Sequence, residues 1–144
     1  MTTAAVERTT IGGLPIDVEH TEHPLTAAAR AERMREPGFG RVFSEHMLTI
    51  RWTRDGGWQD ARLTPYGPLV LDPATSALHY GQSVFEGFKV YRGADGSVAA
   101  FRPEANARRF QDSSRRLCLP ELPVDVFVDA VDLLGRVDLH REPN

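Results

Sequence analysis

The chain has 144 residues, 41% of them hydrophobic and 26% charged, with a formal net charge of −3. That is enough for one domain with a sizeable core, and the usage is that of an ordinary globular protein, not of a chain disordered throughout. Arginines interspersed with acids leave no continuous basic face for nucleic-acid phosphates, no run approaches the ~20 apolar residues that span a bilayer, and the start "MTTAAVERTTIGGLPIDVEH" has no basic-then-apolar leader, so a cytoplasmic protein engaging neither nucleic acid nor membrane is expected.

All twelve aromatic residues lie at or after Phe39. Residues 1–38 therefore read as a partly flexible arm with little core of its own, carrying a short helix over "LTAAARAERMRE" that "PGFG" stops. From Arg41 the period becomes two. In "HMLTIRW", Leu48, Ile50 and Trp52 share one face, which predicts a strand. Asp55 and Gly56 of "RDGG" offer the positive φ of a hairpin turn, and "WQDARL" returns as the partner strand. "TPYGPLVLDP", broken by Pro65, Pro68 and Pro73, reads as loop with at most an edge strand. "GFKVYR" and "VAAF" flank "GADGS" as a second hairpin turning at Asp95 and Gly96. After Phe101 the signal is helical, with Pro103 at the first position, a stripe of Asn106, Phe110, Ser113 or Ser114 and Leu117, and an end before Pro120. "VDVFVDAVDLLG" alternates like a strand, but Val124, Phe127, Val128, Val131 and Leu134 have helical spacing, with Pro123 leading and Gly135 closing, and a helix is expected. Two hairpins followed by two helices make a small α+β domain.

Few residues suggest chemistry on their own. His20 and His23 of "HTEH" and the neighbours Glu45 and His46 fit no metal-ligand spacing, so solvated histidines and no metal site are expected. Neither a Walker phosphate loop nor a G-x-G-x-x-G run is present. Cys118, the single cysteine, cannot form an internal disulfide, lacks an evident activating base, and is expected to be an ordinary buried thiol. Arg108 with Arg109 and Arg115 with Arg116 repeat at seven residues on the first predicted helix. Its phase puts Arg109 and Arg116 beside the apolar stripe, where a planar guanidinium suits a carboxylate or phosphate; snorkelling surface arginines would give the same pattern. "SALHYGQSVFEGFKVYRG" collects Tyr80, Phe85, Phe88 and Tyr91 around Gly81 and Gly87, an aromatic wall that serves equally as core or as pocket.

Those segments, "FGRVFSEHMLTIRW", "SALHYGQSVFEGFKVYRG" and "FRPEANARRF" in that order, resemble the N-terminal small domain of branched-chain amino acid aminotransferases, which are pyridoxal phosphate (PLP) enzymes of fold type IV. The resemblance spans about residues 37 to 135 and implies a domain over residues 39–137, with a divergent or truncated tail over 138–144. It implies that Arg109 binds the cofactor phosphate and that Phe39, Tyr80 and Phe85 wall the pocket for an aliphatic side chain. It further implies transfer of the amino group of Leu, Ile or Val to 2-oxoglutarate, and a homodimer of the full-length chain. Lys89, the only lysine, does not match the lysine that carries the cofactor in that family, which comes from a second, larger domain. The chain alone is therefore expected to be inactive, with no catalytic residue of its own. Two alternatives stay open. One is another fold type IV enzyme, a D-amino acid transaminase or an aminodeoxychorismate lyase; the other is a non-catalytic truncated domain that binds a partner subunit.

Overall fold

A computed structural model describes residues 6–93, 95 and 97–139 of the chain. They divide into two compact units, one containing the residues up to Pro68 together with those from Ala130 on, the other Leu69–Asp129.

The first unit is built on a four-stranded mixed sheet. Strands β1 (Val6–Ile11) and β2 (Leu14–Glu19) form a hairpin, β3 (His46–Thr53) and β4 (Gly57–Pro65) form another, and the order is β1-β2-β4-β3. β2 runs parallel to β4 and sets Ile16 beside Ala61 and Val18 beside Leu63. Those four side chains and Ile11 are buried, so period-two alternation on both central strands delivers one apolar face. The segment expected as an arm is thus part of this sheet. Its aliphatic residues reach a core by pairing with β4, whose partner residues such as Ala61 for Ile16 lie 45 positions on and escape any local reading. Between the hairpins, α1 (Ala27–Arg33) begins where the Thr26 hydroxyl accepts from the Ala29 N–H, and it stops ahead of Gly38 and Gly40, as expected.

The β3–β4 hairpin differs from expectation in two details. Positive φ falls on Gly57, not on Asp55 or Gly56, because Thr53 pairs with Gly57 and the loop is one residue longer than the two-residue turn. The register also slips between Thr49 and Arg51. Asp60, at φ 50°, supplies the extra residue on β4, and the bulge breaks the simple alternation of Leu48, Ile50 and Trp52 and leaves Trp52 exposed.

His46 opens β3 and is 1% exposed, not solvated. The Thr21 N–H donates to its Nε2 at 3.0 Å, so the ring proton is assigned to Nδ1, which donates to Asp138 Oδ1 at 2.6 Å. His20 stands edge-on to this ring with its Nδ1 buried, while His23 is exposed. Glu45 accepts from the Leu25 N–H and from Arg30. Burial opposes its ionisation, but Arg30 and the Leu25 N–H outweigh burial and hold the carboxyl below its usual range.

In the second unit, α2 (Ser76–Tyr80) is a single turn that the sequence did not suggest, ended by Gly81 at φ 62°. β5 (Val90–Arg92) and β6 (Val98–Ala100) make the expected hairpin; Gly96 of its turn lies outside the described residues. α3 (Pro103–Arg116) begins at Pro103 as expected and buries Ala107 and Ser114. Leu117 falls just past its end and is exposed. Cys118, expected to be buried, is exposed at φ 55°, because it occupies the left-handed position after the helix. Its N–H donates to the Arg115 carbonyl and the Leu119 N–H to the Ser114 carbonyl, the paired pattern of a Schellman end. α4 (Val124–Leu139) starts in this unit, and its Phe127 ring lies 6.1 Å from Phe88 and 5.7 Å from Phe110. Gly135 does not close this helix, which continues through it to Leu139. Asp138, where the divergent tail was expected to begin, is therefore helical and bonded to His46; residues 140–144 lie outside the described residues. No helix among the described residues is long and apolar enough to cross a membrane.

Two consequences are measurable by urea denaturation. A Cβ at Gly135 meets nothing within 4 Å, so Gly135→Ala should raise stability by about 0.5–1 kcal/mol through helix propensity. Asp138→Ala leaves the buried His46 Nδ1–H without its acceptor and should lower stability by about 1–3 kcal/mol; an unchanged midpoint would remove His46 from its structural role.

Candidate functional site

The strongest polar constellation of the second unit joins the loop before β5 to the first turns of α3. Residues three apart on a helix lie on one side of it, so Asn106 and Arg109 project together. Both reach Glu86. Arg109 Nε donates to Glu86 Oε2 at 2.7 Å, and its Nη2 donates to Oε1. Asn106 Nδ2 donates to Oε1 at 3.0 Å and also contacts the Gly87 carbonyl at 3.3 Å, while the Gly87 N–H donates to Oε1 at 3.0 Å. Glu86 thus accepts from four donors with its side chain only 5% exposed, whereas the Arg109 side chain is 65% exposed.

The electrostatics follow from that asymmetry. The Arg109 hydrogen bonds outweigh burial and, with Asn106 and the Gly87 N–H, bring the Glu86 carboxyl from 4.5 down to about 2. The same contact raises the Arg109 guanidinium above its ordinary value. Glu86 holds the Nε–Nη2 edge of the fork, and the Nη1 amino group has no hydrogen-bond partner among the described residues. Such a group, charged, exposed and fixed along one edge, can take a phosphate or carboxylate oxygen.

The other expected site residues are placed differently. Tyr80 ends α2 at 86% exposed, and Phe85, beside Glu86, is 90% exposed. Phe39 belongs to the first unit and is fully exposed. The aromatic wall is therefore not uniform: Phe88 turns inward onto Phe127, while Tyr80, Phe85 and Tyr91 face outward. Lys89 is exposed just before β5. Of the paired arginines, Arg115 is engaged by Asp112 and Glu121, and Arg108 and Arg116 are exposed. A cleft of about 520 Å³ in the first unit, bordered by Thr21, Arg33, Arg41 and Tyr66, contains none of the four expected residues.

The sequence reading did not single out Glu86, and it placed Asn106 only in the stripe of α3, not at a polar site. A signal was present, since Glu86 is the only acid among residues 73–94, and a carboxylate in so apolar a stretch needs a cation nearby. What the sequence lacked was the fold that brings Arg109, 23 residues on, to that carboxylate.

No family model matches the chain. It is 58% identical over 123 residues to a probable branched-chain-amino-acid aminotransferase of Streptomyces coelicolor, which covers 85% of this chain and 34% of the relative. It is 50% identical over 127 residues to a branched-chain-amino-acid aminotransferase of Mycolicibacterium smegmatis, covering 88% and 34%, and 43% identical over 106 residues to branched-chain-amino-acid aminotransferase 2 of Bacillus subtilis, covering 74% and 29%. The chain spans about a third of the length of these curated relatives.

The lowered Glu86 carboxyl carries a pH dependence of defined sign. A depressed native value stabilises the fold above the unfolded value of 4.5 and ceases to do so as pH falls toward about 2. Urea midpoints should therefore decline below about pH 5, and Glu86→Gln should flatten part of that decline; equal slopes for the two proteins would show that the ion pair does not form in solution.

Proposed function

The chain is a branched-chain-amino-acid aminotransferase homologue matching the N-terminal portion of those proteins, and on that premise we propose that it forms the small domain of a PLP-dependent transaminase. The intact enzyme exchanges the amino group of Leu, Ile or Val with 2-oxoglutarate. Identity of 50–58% to two such relatives over 85–88% of this chain is the observation that carries the reading. Its α+β architecture agrees with that assignment.

The residues present fit the phosphate end of the cofactor. Arg109 is exposed, permanently charged and anchored on one edge, so its Nη1 side can bind a phosphate oxygen, whereas a freely rotating arginine would first have to be ordered. Bound PLP supplies the electron sink that the amino-group exchange needs. Tyr80 and Phe85 in the second unit expose apolar rings that suit an aliphatic side chain, and Phe39, in the first unit, is likewise exposed and is read as a substrate contact on the family resemblance alone. In this reading Lys89 takes no part, and the lysine that carries the cofactor and the acid facing the pyridine nitrogen come from the remaining two-thirds of the enzyme. The partners are branched-chain amino acids, their 2-oxo acids and a second copy of the full-length chain. The large exposure of Val70, Tyr80, Phe85 and Phe101 supports association with further protein surface.

The test is amino transfer from leucine to 2-oxoglutarate with added PLP. The natural gene product should show it and should run as a dimer by light scattering, while the purified 144 residues should show none. Turnover by the 144 residues would give this segment a catalytic amine of its own. Absence of turnover in the natural product would remove the transaminase reading.

A further inference from the structure

Resting on the reading of Arg109 as the phosphate ligand, we propose that Glu86 is a positioning residue for cofactor binding. Its carboxylate, braced by Asn106 and the Gly87 N–H, fixes the plane of the Arg109 guanidinium and so selects phosphorylated ligands.

The burial of the acid separates this contact from an ordinary surface ion pair. In the helix-surface pairs Arg115–Asp112 and Arg136–Asp132 the carboxylates are 66% and 55% exposed, and both partners stand in water. At 5% exposure Glu86 is fixed from two further directions, by Asn106 on α3 and by the backbone of its own loop. A guanidinium gripped at Nε and Nη2 has one orientation, with Nη1 on the side away from the acid. The arrangement removes the rotamer freedom that an exposed arginine would lose on binding an anion.

Glu86 does not itself suit a role as ligand or proton donor. Both of its oxygens already accept hydrogen bonds, and the low carboxyl value keeps it ionised across the physiological range. A phosphate therefore meets Arg109 and not the acid behind it. Asn106 completes the device by bonding both the carboxylate and the Gly87 carbonyl, which ties the turn of the loop to the helix that carries Arg109.

The experiment compares PLP with pyridoxal, which lacks the phosphate, in equilibrium binding to the natural full-length protein and its variants Arg109→Ala, Glu86→Gln and the double variant. Expected are about tenfold or greater losses of PLP affinity in each single variant, little change for pyridoxal, and no further loss in the double, because Glu86 acts through Arg109. The ³¹P resonance of bound PLP should shift in Glu86→Gln. If Arg109→Ala weakens PLP selectively and Glu86→Gln does not, or if the two losses simply add, the positioning role is overturned while the phosphate reading stands. If Arg109→Ala weakens PLP and pyridoxal alike, or neither, both fall. Should Glu86→Gln fail to fold, Asn106→Ala leaves the ion pair and removes one brace. It should cost about threefold in PLP affinity alone, and an unchanged affinity would overturn the proposal.

Discussion

Burial of the Glu86 carboxylate dictates the arrangement around it, because an anion taken out of water is tolerated only when its lone pairs are met by donors. Four donors meet it, from one arginine, one amide side chain and one backbone N–H. To supply them, α3 must present Asn106 and Arg109 on the side facing the loop, and that phase leaves Ala107, Phe110 and Ser114 to turn into the protein. The charge at the site and the packing of the helix are therefore two results of one rotational setting. A helix turned by one residue would bury Arg108 in place of Ala107 and leave the acid unmet.

His46 imposes a comparable constraint in the first unit. Each ring nitrogen has one partner, the Thr21 N–H on one side and Asp138 on the other, and these lie 25 residues before and 92 residues after it in the chain. A buried imidazole satisfied at both nitrogens can adopt one ring orientation and one tautomer. The beginning of β3, the segment following β2 and the last turn of α4 meet there. The two sites differ in character: Glu86 is an ionised acid whose partner faces solvent, suited to meeting a ligand, whereas His46 is closed on all sides and serves cohesion.

The parts of this fold that the sequence revealed are those whose signals are local. The β3–β4 hairpin, the start of α3 at Pro103 and the helical spacing of Val124, Phe127 and Val131 each follow from residues within a few positions of one another. β1 and β2 are not legible locally because they carry no aromatic residue: this hairpin packs through Ile11, Ile16 and Val18 and depends on a parallel pairing with β4. Asp60 and Cys118 show a second limit. Both are L-residues at positive φ, in positions where glycine is the common choice; aspartate visits this region more readily than most residues, but a lone Asp does not mark a bulge, and Cys118 does not mark a helix end. At the candidate site the helical phase made Arg109 legible, but whether it faces water or an acid depended on a loop 23 residues earlier. The resemblance to a family supplied roles for Phe39, Tyr80, Phe85 and Arg109 that residue patterns alone did not.

Those roles divide along a physical line. The polar half of the candidate site has its order built in, since Arg109 is held by a buried acid and a braced loop within the same compact unit. The apolar half does not: Tyr80 and Phe85 expose 86% and 90% of their surface, and a ring in water has few contacts to fix its rotamer. Hydrogen bonds to a charged group have directional requirements that a short stretch of chain can satisfy alone, whereas an apolar pocket exists only when surfaces close around it. One compact unit is therefore enough to order the Arg109 guanidinium through a buried carboxylate, whereas the exposed rings of Tyr80 and Phe85 have no comparable order.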